Sequence, residues 1–330
     1  MGKFWLVPAV LLSLGGFSSS SLASGYRDHP LAQAFADKMV ADHGYDRAEV
    51  LALMASAERK QGIIDAMNRP AEKVKPWHEY RKIFIQEKRI DWGAEFWRQH
   101  KKVLEQVDRQ YGVDPAVIVA IIGVETNYGR NTGSYRVIDA LTTLAFDYPK
   151  RSPFFTSELE NFLLLTKEQN QDPLGLKGSY AGAMGYGQFM PSSYRNYAAD
   201  YDGDGFNDIW NNPEDAIASV ANYFVHHGWQ TGKPVATRAR AAAGYTSDIL
   251  NKLEKPATTL AQHQRDGLTA VAAFDPALTA MPMELEVEGG VEYWLGFDNF
   301  YTITRYNHSH RYAMAVYELS ELIRKRVGGG

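Results

Sequence analysis

The chain has 330 residues, 45% hydrophobic and 22% charged, which is ordinary for a globular protein with one large or two to three smaller cores and excludes a disordered or fibrous one. A formal net charge of -4 and a pI near 6.2 give no electrostatic case for a nucleic-acid partner, which calls for a strongly basic face. With no cysteine in the chain, disulfide staples, cysteine nucleophiles and a lipid-bearing cysteine are all excluded.

In chain order, Met1 to Ser24 reads as a secretory signal. Lys3 supplies the positive start, Phe4 to Leu14 the apolar run, and Ser21-Leu22-Ala23 a small-residue cleavage site, so residues 1–23 are expected to be removed. The alternative is an uncleaved anchor, but the apolar run is shorter than the ~20 residues that cross a bilayer. Tyr26 to about Met67 is expected to form two helices broken at Gly44-Tyr45-Asp46, and an aromatic segment begins at Pro76. One long helix is expected from Trp92 to Tyr111, with Phe96, Val103, Leu104 and Val107 on its apolar side.

Asp114 and Pro115 then open a short helix that Gly129 can end. On it Ile118, Ile121, Ile122 and Glu125 share one face, so a carboxyl group continues an apolar stripe. Two readings are open. Packed beside aliphatic side chains, Glu125 keeps its proton to higher pH and suits a general acid; turned outward, it is an ordinary helix-end charge near Arg130.

Helices are expected over Val137 to Leu144 and Phe154 to Lys167, joined by the stiff basic loop Tyr148-Pro149-Lys150-Arg151-Ser152-Pro153. Lys177 to Tyr194 follows, rich in Gly, Tyr, Phe and Met, and reads as a binding wall or as a flexible loop ahead of a helix. Asp200, Asp202 and Asp204 with Gly205 match the opening of an EF-hand loop. Asn211 stands where the closing Glu belongs, so a metal loop here must close later, at Glu214 or Asp215; without metal the segment is an acidic turn. Asp215 to His227 and Asp248 to about Gln264 are expected as helices, with a hairpin turning at Gly289-Gly290 and a last helix over Arg311 to Val327.

No Gly-Xaa-Ser-Xaa-Gly elbow, His-Glu-Xaa-Xaa-His zinc pattern or Walker motif is present. A lone acid on an apolar helix, with a wall of aromatics and amides, suits sugar rings, which have apolar faces and hydroxyl edges. The ordered motifs Gly123-Val124-Glu125-Thr126-Asn127-Tyr128-Gly129-Arg130, Tyr180 to Ser193 and the Asp-rich loop closely resemble the membrane-bound lytic transglycosylase B family of bacterial cell-wall enzymes, glycoside hydrolase family 103. The likeness runs from about Phe35 to Met314.

The resemblance implies a mainly α (α+β) fold. Residues 24–105 would form an N-terminal helical region, 106–228 a lysozyme-like catalytic core with the EF-hand-like loop, and 229–330 C-terminal helices and a small β-sheet packing back on the core. It implies that Glu125 is the single acid/base that cleaves the β-1,4 bond between N-acetylmuramic acid and N-acetylglucosamine in peptidoglycan, leaving 1,6-anhydro ends. Saccharide contacts are implied at Tyr80, Ser179, Gln188 and Phe189, and at Tyr223, Tyr306, Asn307 and Tyr312. Lys150 and Arg151 are implied to meet the peptide or a carboxylate. A structural Ca²⁺ is implied on Asp200, Asp202, Asp204, the Phe206 carbonyl and Asp215, although this loop is one residue longer before Asp215. With no lipid-bearing cysteine, a soluble periplasmic member without a transmembrane anchor is expected, whose partners are peptidoglycan glycan strands and possible cell-wall enzyme complexes. A hydrolytic muramidase and a non-catalytic peptidoglycan scaffold remain the alternatives.

Overall fold

The computed structural model describes residues 25–68 and 75–329, so the expected signal segment 1–23 lies outside the described residues. Three helices, not two, open the fold: α1 (Pro30–His43), α2 (Arg47–Ser56) and α3 (Gln61–Asn68). Gly44 ends α1 at φ 65°, and the Asp46 carboxylate caps α2 by accepting from the Glu49 N–H at 3.0 Å.

Next come α4 (Trp77–Phe84), α5 (Glu87–Gln99) and α6 (Lys101–Tyr111). The long helix expected over 92–111 is therefore two, parted at His100, whose backbone (φ -108°, ψ 21°) leaves the helical range. The break has a packing reason: α5 lies against the C-terminal helix α14 (His310–Gly328), whereas α6 lies against α11 (Pro213–His226), and one straight rod could not serve both.

At the centre is α7 (Pro115–Thr126), where Asp114 Oδ1 accepts from the Ala116 N–H at 2.9 Å and Pro115 takes the first turn. Every residue from Ala116 to Val124 is buried, so the apolar stripe read from the sequence is an apolar cylinder. A helix hydrophobic all round belongs inside a core, and α14, α5 and α11 wrap this one.

The chain continues through β1 (Tyr135–Arg136), α8 (Val137–Asp147), a 3-10 turn at Pro149–Arg151, α9 (Ser152–Glu168), β2 (Lys177–Gly178) and α10 (Pro191–Tyr197), and β1 pairs with β2 antiparallel. Beyond α11 lie β3 (Ala236–Ala241), β4 (Thr258–Thr259), α12 (Leu260–Arg265), β5 (Leu268–Ala270), β6 (Thr279–Val287), β7 (Gly290–Gly296) and α13 (Asp298–Tyr306). The helix expected over 248–264 is reduced to α12. Pro256 lacks an N–H and disfavours helical backbone at Lys255, and Thr258 and Thr259 pair instead with Ala280 and Thr279.

Five strands form one antiparallel sheet in the order β4-β6-β7-β3-β5, with the expected hairpin turning at Glu288-Gly289. Alternation divides its two faces. Met281, Met283, Leu285 and Trp294 join the main core, while Ala280 and Leu295 join a smaller one with Leu260, Leu268 and Phe297. Because Trp294 meets Tyr317 at 6.1 Å, α14 is held between this sheet and α7.

One glycine of α7 sets a clearance. A Cβ on Gly123 would lie 2.5 Å from Tyr128 Oη and 2.6 Å from its ring carbon. Alanine gains about 1 kcal/mol of helix propensity, but forcing a ring and its neighbours aside costs about 1–3 kcal/mol. Tyr128 cannot yield easily, being buried and donating to the Arg89 carbonyl at 2.8 Å. Gly123→Ala is therefore expected to lower the urea midpoint, and a midpoint at or above that of the native chain would contradict this packing.

Candidate active site

The end of α7 differs from the expectation that Gly129 terminates it. Asn127 closes the helix at φ 51°, and Tyr128 (φ 62°) and Gly129 (φ 79°) extend the left-handed turn. Such backbone is costly for a bulky residue and persists only where its surroundings hold it. Arg89 Nε donates to Asn127 Oδ1 at 2.7 Å, and Thr126 Oγ1 lies 2.9 Å from the Tyr186 carbonyl. The last turn of α7 is thus tied to α5 on one side and to the Gly-rich segment on the other.

Glu125 sits in that turn, only partly accessible, beyond Ile118, Ile121 and Ile122, which are fully buried. Of the two readings open from sequence, the structure has the desolvated one. Burial pushes the carboxyl up to about 7, opposed by one hydrogen bond from Tyr312. Position adds to this, since the C-terminal end of a helix carries partial negative charge and disfavours an anion. Tyr312 Oη donates to Glu125 Oε1 at 2.5 Å across 187 positions of sequence.

Tyr312 stands in the first turn of α14, where Ser309 Oγ accepts from its N–H at 3.3 Å. Burial first, then the Glu125 charge, pushes the phenols of Tyr312 and Tyr306 well up, so both stay protonated donors. Tyr306 Oη donates to the Gly187 carbonyl at 2.7 Å, and Tyr223 Oη to the Arg305 carbonyl at 2.7 Å. Tyr223 and Tyr306 meet at 4.7 Å, with Phe189 at 5.9 and 6.0 Å from them. These three rings form one cluster, in which Phe189 is buried and held by packing.

Glu125 opens onto a cleft of about 480 Å³ whose lining includes Arg130, Thr132, Ser179 and Gln188. The wall is pinned, not flexible: Met184 and Phe189 exchange two backbone hydrogen bonds at 2.8 and 2.9 Å. At Gly185 (φ 67°) the Ile209 carbonyl comes so close that a Cβ would lie 2.4 Å from it, so only glycine fits. Gln188 Nε2 donates to the carbonyls of Thr132 (3.2 Å) and Gly185 (3.0 Å), leaving its Oε1 to accept. Ser179 Oγ accepts from the N–H groups of Ala181 and Ala183, leaving its O–H to donate.

The remaining residues implied by the resemblance are placed as follows. Tyr80 on α4 packs against Phe84 at 5.3 Å and feels the Glu125 charge, which puts it in the same neighbourhood. Asn307 is exposed at the end of α13. Lys150 and Arg151 are exposed at the far end of α8, with the Arg151 guanidinium 4.4 Å over Phe154, and neither lines the cleft. A separate hollow of about 360 Å³ beside Trp77, Glu284 and Arg311 does not include Glu125. Arg89 and the Thr126 hydroxyl, which hold the helix end, were not found from sequence: Arg89 is 38 positions away in a helix with no motif.

Downstream acids are structural. Asp139 is buried and accepts from Arg136 at 2.8 and 2.9 Å, and Asp147 accepts from Tyr26 and Arg59. In the Asp-rich loop, one oxygen each of Asp200, Asp202 and Asp204 lies within 4.8 Å of the others. Ca²⁺–oxygen bonds of about 2.3–2.6 Å place two ligands of one ion up to about 5 Å apart, so the trio fits a hard cation. Asp215 is fully buried outside this trio, its Oδ1 accepting from the Tyr201 N–H (2.8 Å) and its Oδ2 from the Asp208 N–H (2.7 Å). The Phe206 carbonyl accepts from the Asp208 N–H at 2.9 Å.

Residues 27–321 match the family described as the transglycosylase SLT domain. The chain is 44% identical over 312 residues to the membrane-bound lytic murein transglycosylase B of Escherichia coli (strain K12), covering 92% of this chain and 85% of that protein. Among solved structures it resembles the soluble lytic transglycosylase SltB1 from Pseudomonas aeruginosa, with TM-score 0.87 and 48% identity over 91% of this chain and 100% of that one. It also resembles the Escherichia coli lytic transglycosylase Slt35 in complex with calcium, with TM-score 0.85 and 44% identity over 92% and 96% of the two chains. By sequence and by fold, the chain belongs to the transglycosylase SLT domain family, among the lytic murein transglycosylases.

Proposed function

We propose that this lytic transglycosylase cleaves peptidoglycan with Glu125 as its single acid and base. The observation that carries the reading is the state of that carboxyl group: desolvated, raised to about 7, facing the cleft and, among the described residues, perturbed by no second acid. Two-carboxylate glycosidases place a partner acid about 5 to 9.5 Å away. Here the acid must both give and take the proton.

Protonated Glu125 gives its proton to the oxygen of the β-1,4 bond between N-acetylmuramic acid and N-acetylglucosamine, and that C1–O bond breaks. The resulting carboxylate takes the proton of the muramic C6 hydroxyl, whose oxygen bonds to C1. A 1,6-anhydro end forms, no water is consumed, and the acid is restored. The substrate's N-acetyl group assists at C1, which replaces the missing second carboxylate. Tyr312 holds Oε1 by its hydroxyl, while Gln188, Ser179, Tyr80, Tyr223, Tyr306 and Asn307 contact the saccharide around the aromatic cluster.

Digestion of purified peptidoglycan followed by mass spectrometry is expected to give 1,6-anhydro muropeptides. Products with reducing muramic ends alone would mean a hydrolytic muramidase. No cleavage at all would leave a binding scaffold.

The Asp-rich loop is read as a calcium site held by Asp200, Asp202, Asp204, the Phe206 carbonyl and Asp215. Bound there, the ion offsets clustered carboxylate charge and braces the loop. The all-oxygen donor set and the calcium complex of the similar Slt35 support this. Residues 24–105, 106–228 and 229–330 are taken as flanking helical region, catalytic core and C-terminal region. Residues 1–23 carry the features of an export signal, and no helix among the described residues is long and apolar enough to cross a membrane. Periplasmic placement, with glycan strands as the partner and cell-wall enzyme complexes around it, is the setting in which this chemistry has a substrate.

A further inference from the structure

Two tyrosines stand exposed at the rim of the cleft. Tyr180 is 45% exposed and Tyr135 36% exposed, and both line the cleft that Glu125 opens into. Among the described residues neither phenol makes a hydrogen bond and neither ring contacts another aromatic group. By contrast, the phenols of Tyr306, Tyr223 and Tyr312 each donate to a protein oxygen.

The backbone that carries each ring is nonetheless held in place. Tyr180 sits in a turn closed by Gly182 N–H to the Ser179 carbonyl at 3.0 Å, while Ser179 Oγ accepts from the Ala181 and Ala183 N–H groups. Tyr135 is fixed by pairing of β1 with β2. Its cross-strand partner is Gly178, which has no side chain to cover the ring. A tyrosine on fixed backbone, bare toward a cleft, has only two side-chain torsions to order on binding, so it offers a large contact area at low entropic cost.

We propose that Tyr180, with Tyr135 lining the same cleft, is a stacking platform that holds the glycan strand beside the bond that Glu125 cleaves. The proposal rests on the reading of this cleft as the site of glycan cleavage. The ring meets the apolar face of a sugar and the phenol its hydroxyl edge. Because stacking away from the reacting bond is equal in the bound substrate and in the transition state, its loss raises KM and spares kcat.

Steady-state kinetics on purified glycan strands tests this with Tyr180→Ala, Tyr135→Ala and Tyr180→Phe in the otherwise native chain. Tyr180→Ala is expected to raise KM roughly 3- to 10-fold, with kcat within about twofold and an unchanged melting temperature. Tyr135→Ala is expected to act in the same direction, and Tyr180→Phe, which keeps the ring, to restore most of the affinity. An unchanged KM in Tyr180→Ala, or a joint fall of kcat and melting temperature, overturns the platform. The reading it rests on fails differently: the native chain would then yield no anhydro ends at saturating substrate.

Discussion

Glu125→Gln is expected to reduce glycan cleavage by about 10³-fold or more, the scale of a lost general acid that also serves as the base. Glycan binding should survive, because Gln keeps the shape of the side chain and can still accept from Tyr312. Stability supplies a second readout with a definite sign. The folded carboxyl titrates near 7, above its ordinary 4.5. Its favourable contribution is therefore complete below the unfolded value and is lost as pH rises through about 7. Gln has no charge to desolvate, so the variant should melt with the native chain near pH 5 and above it near pH 8. Cleavage by the native chain should decline over the same interval, as the acid loses its proton. A variant that stays active, or one whose melting offset is the same at both pH values, would remove Glu125 from the role of buried acid.

Removal of the proposed calcium is expected to have the second large effect. An ion present at about a hundred times its dissociation constant stabilises the folded state by about 2.7 kcal/mol. EDTA is expected to lower the melting temperature by about 5 °C, and added Ca²⁺ to restore it. Asp204→Asn is the clean control: it keeps the acceptor for the Phe206 N–H, bonded at 2.8 Å, and removes one charge from the trio. That variant should show a blunted response to both additions. The loop also reaches the cleft, through the Tyr186 N–H to the Ile209 carbonyl at 2.9 Å and Trp210 Nε1 to the Lys177 carbonyl at 3.0 Å. Chelation should therefore raise KM as well as lower stability. A melting curve indifferent to EDTA would leave the loop an acidic turn.

Local signals in the sequence hold where the interaction is local. Asp114 and Pro115 open α7 as expected, and Gly289 turns the hairpin, because caps and tight turns are decided within a few residues. They fail where distant packing overrides period. Nothing in the pattern of 92–111 says that two different helices must be met, and so the break at His100 was invisible. Helical spacing over 248–264 gave way to Pro256 and to strand pairing with β6. Asn127, not Gly129, ends α7, because Arg89 from another helix holds its side chain in the left-handed turn.

By itself, the sequence determined the mainly α fold with its small sheet, the order of the motifs, the family resemblance and Glu125 as the candidate acid. These depend on residue type and short-range spacing, which a linear chain carries in full. Tertiary structure alone decided the state of that acid. Ile118, Ile121 and Ile122 are buried because α14, α5 and α11 close around α7, and the same closure takes water from Glu125 and raises it to about 7. Tyr312, which holds the acid's oxygen, comes from 187 residues further on, and the cleft is walled by segments that meet only in space. Desolvation is a property of the surroundings, and the surroundings of Glu125 are assembled from the far ends of the chain.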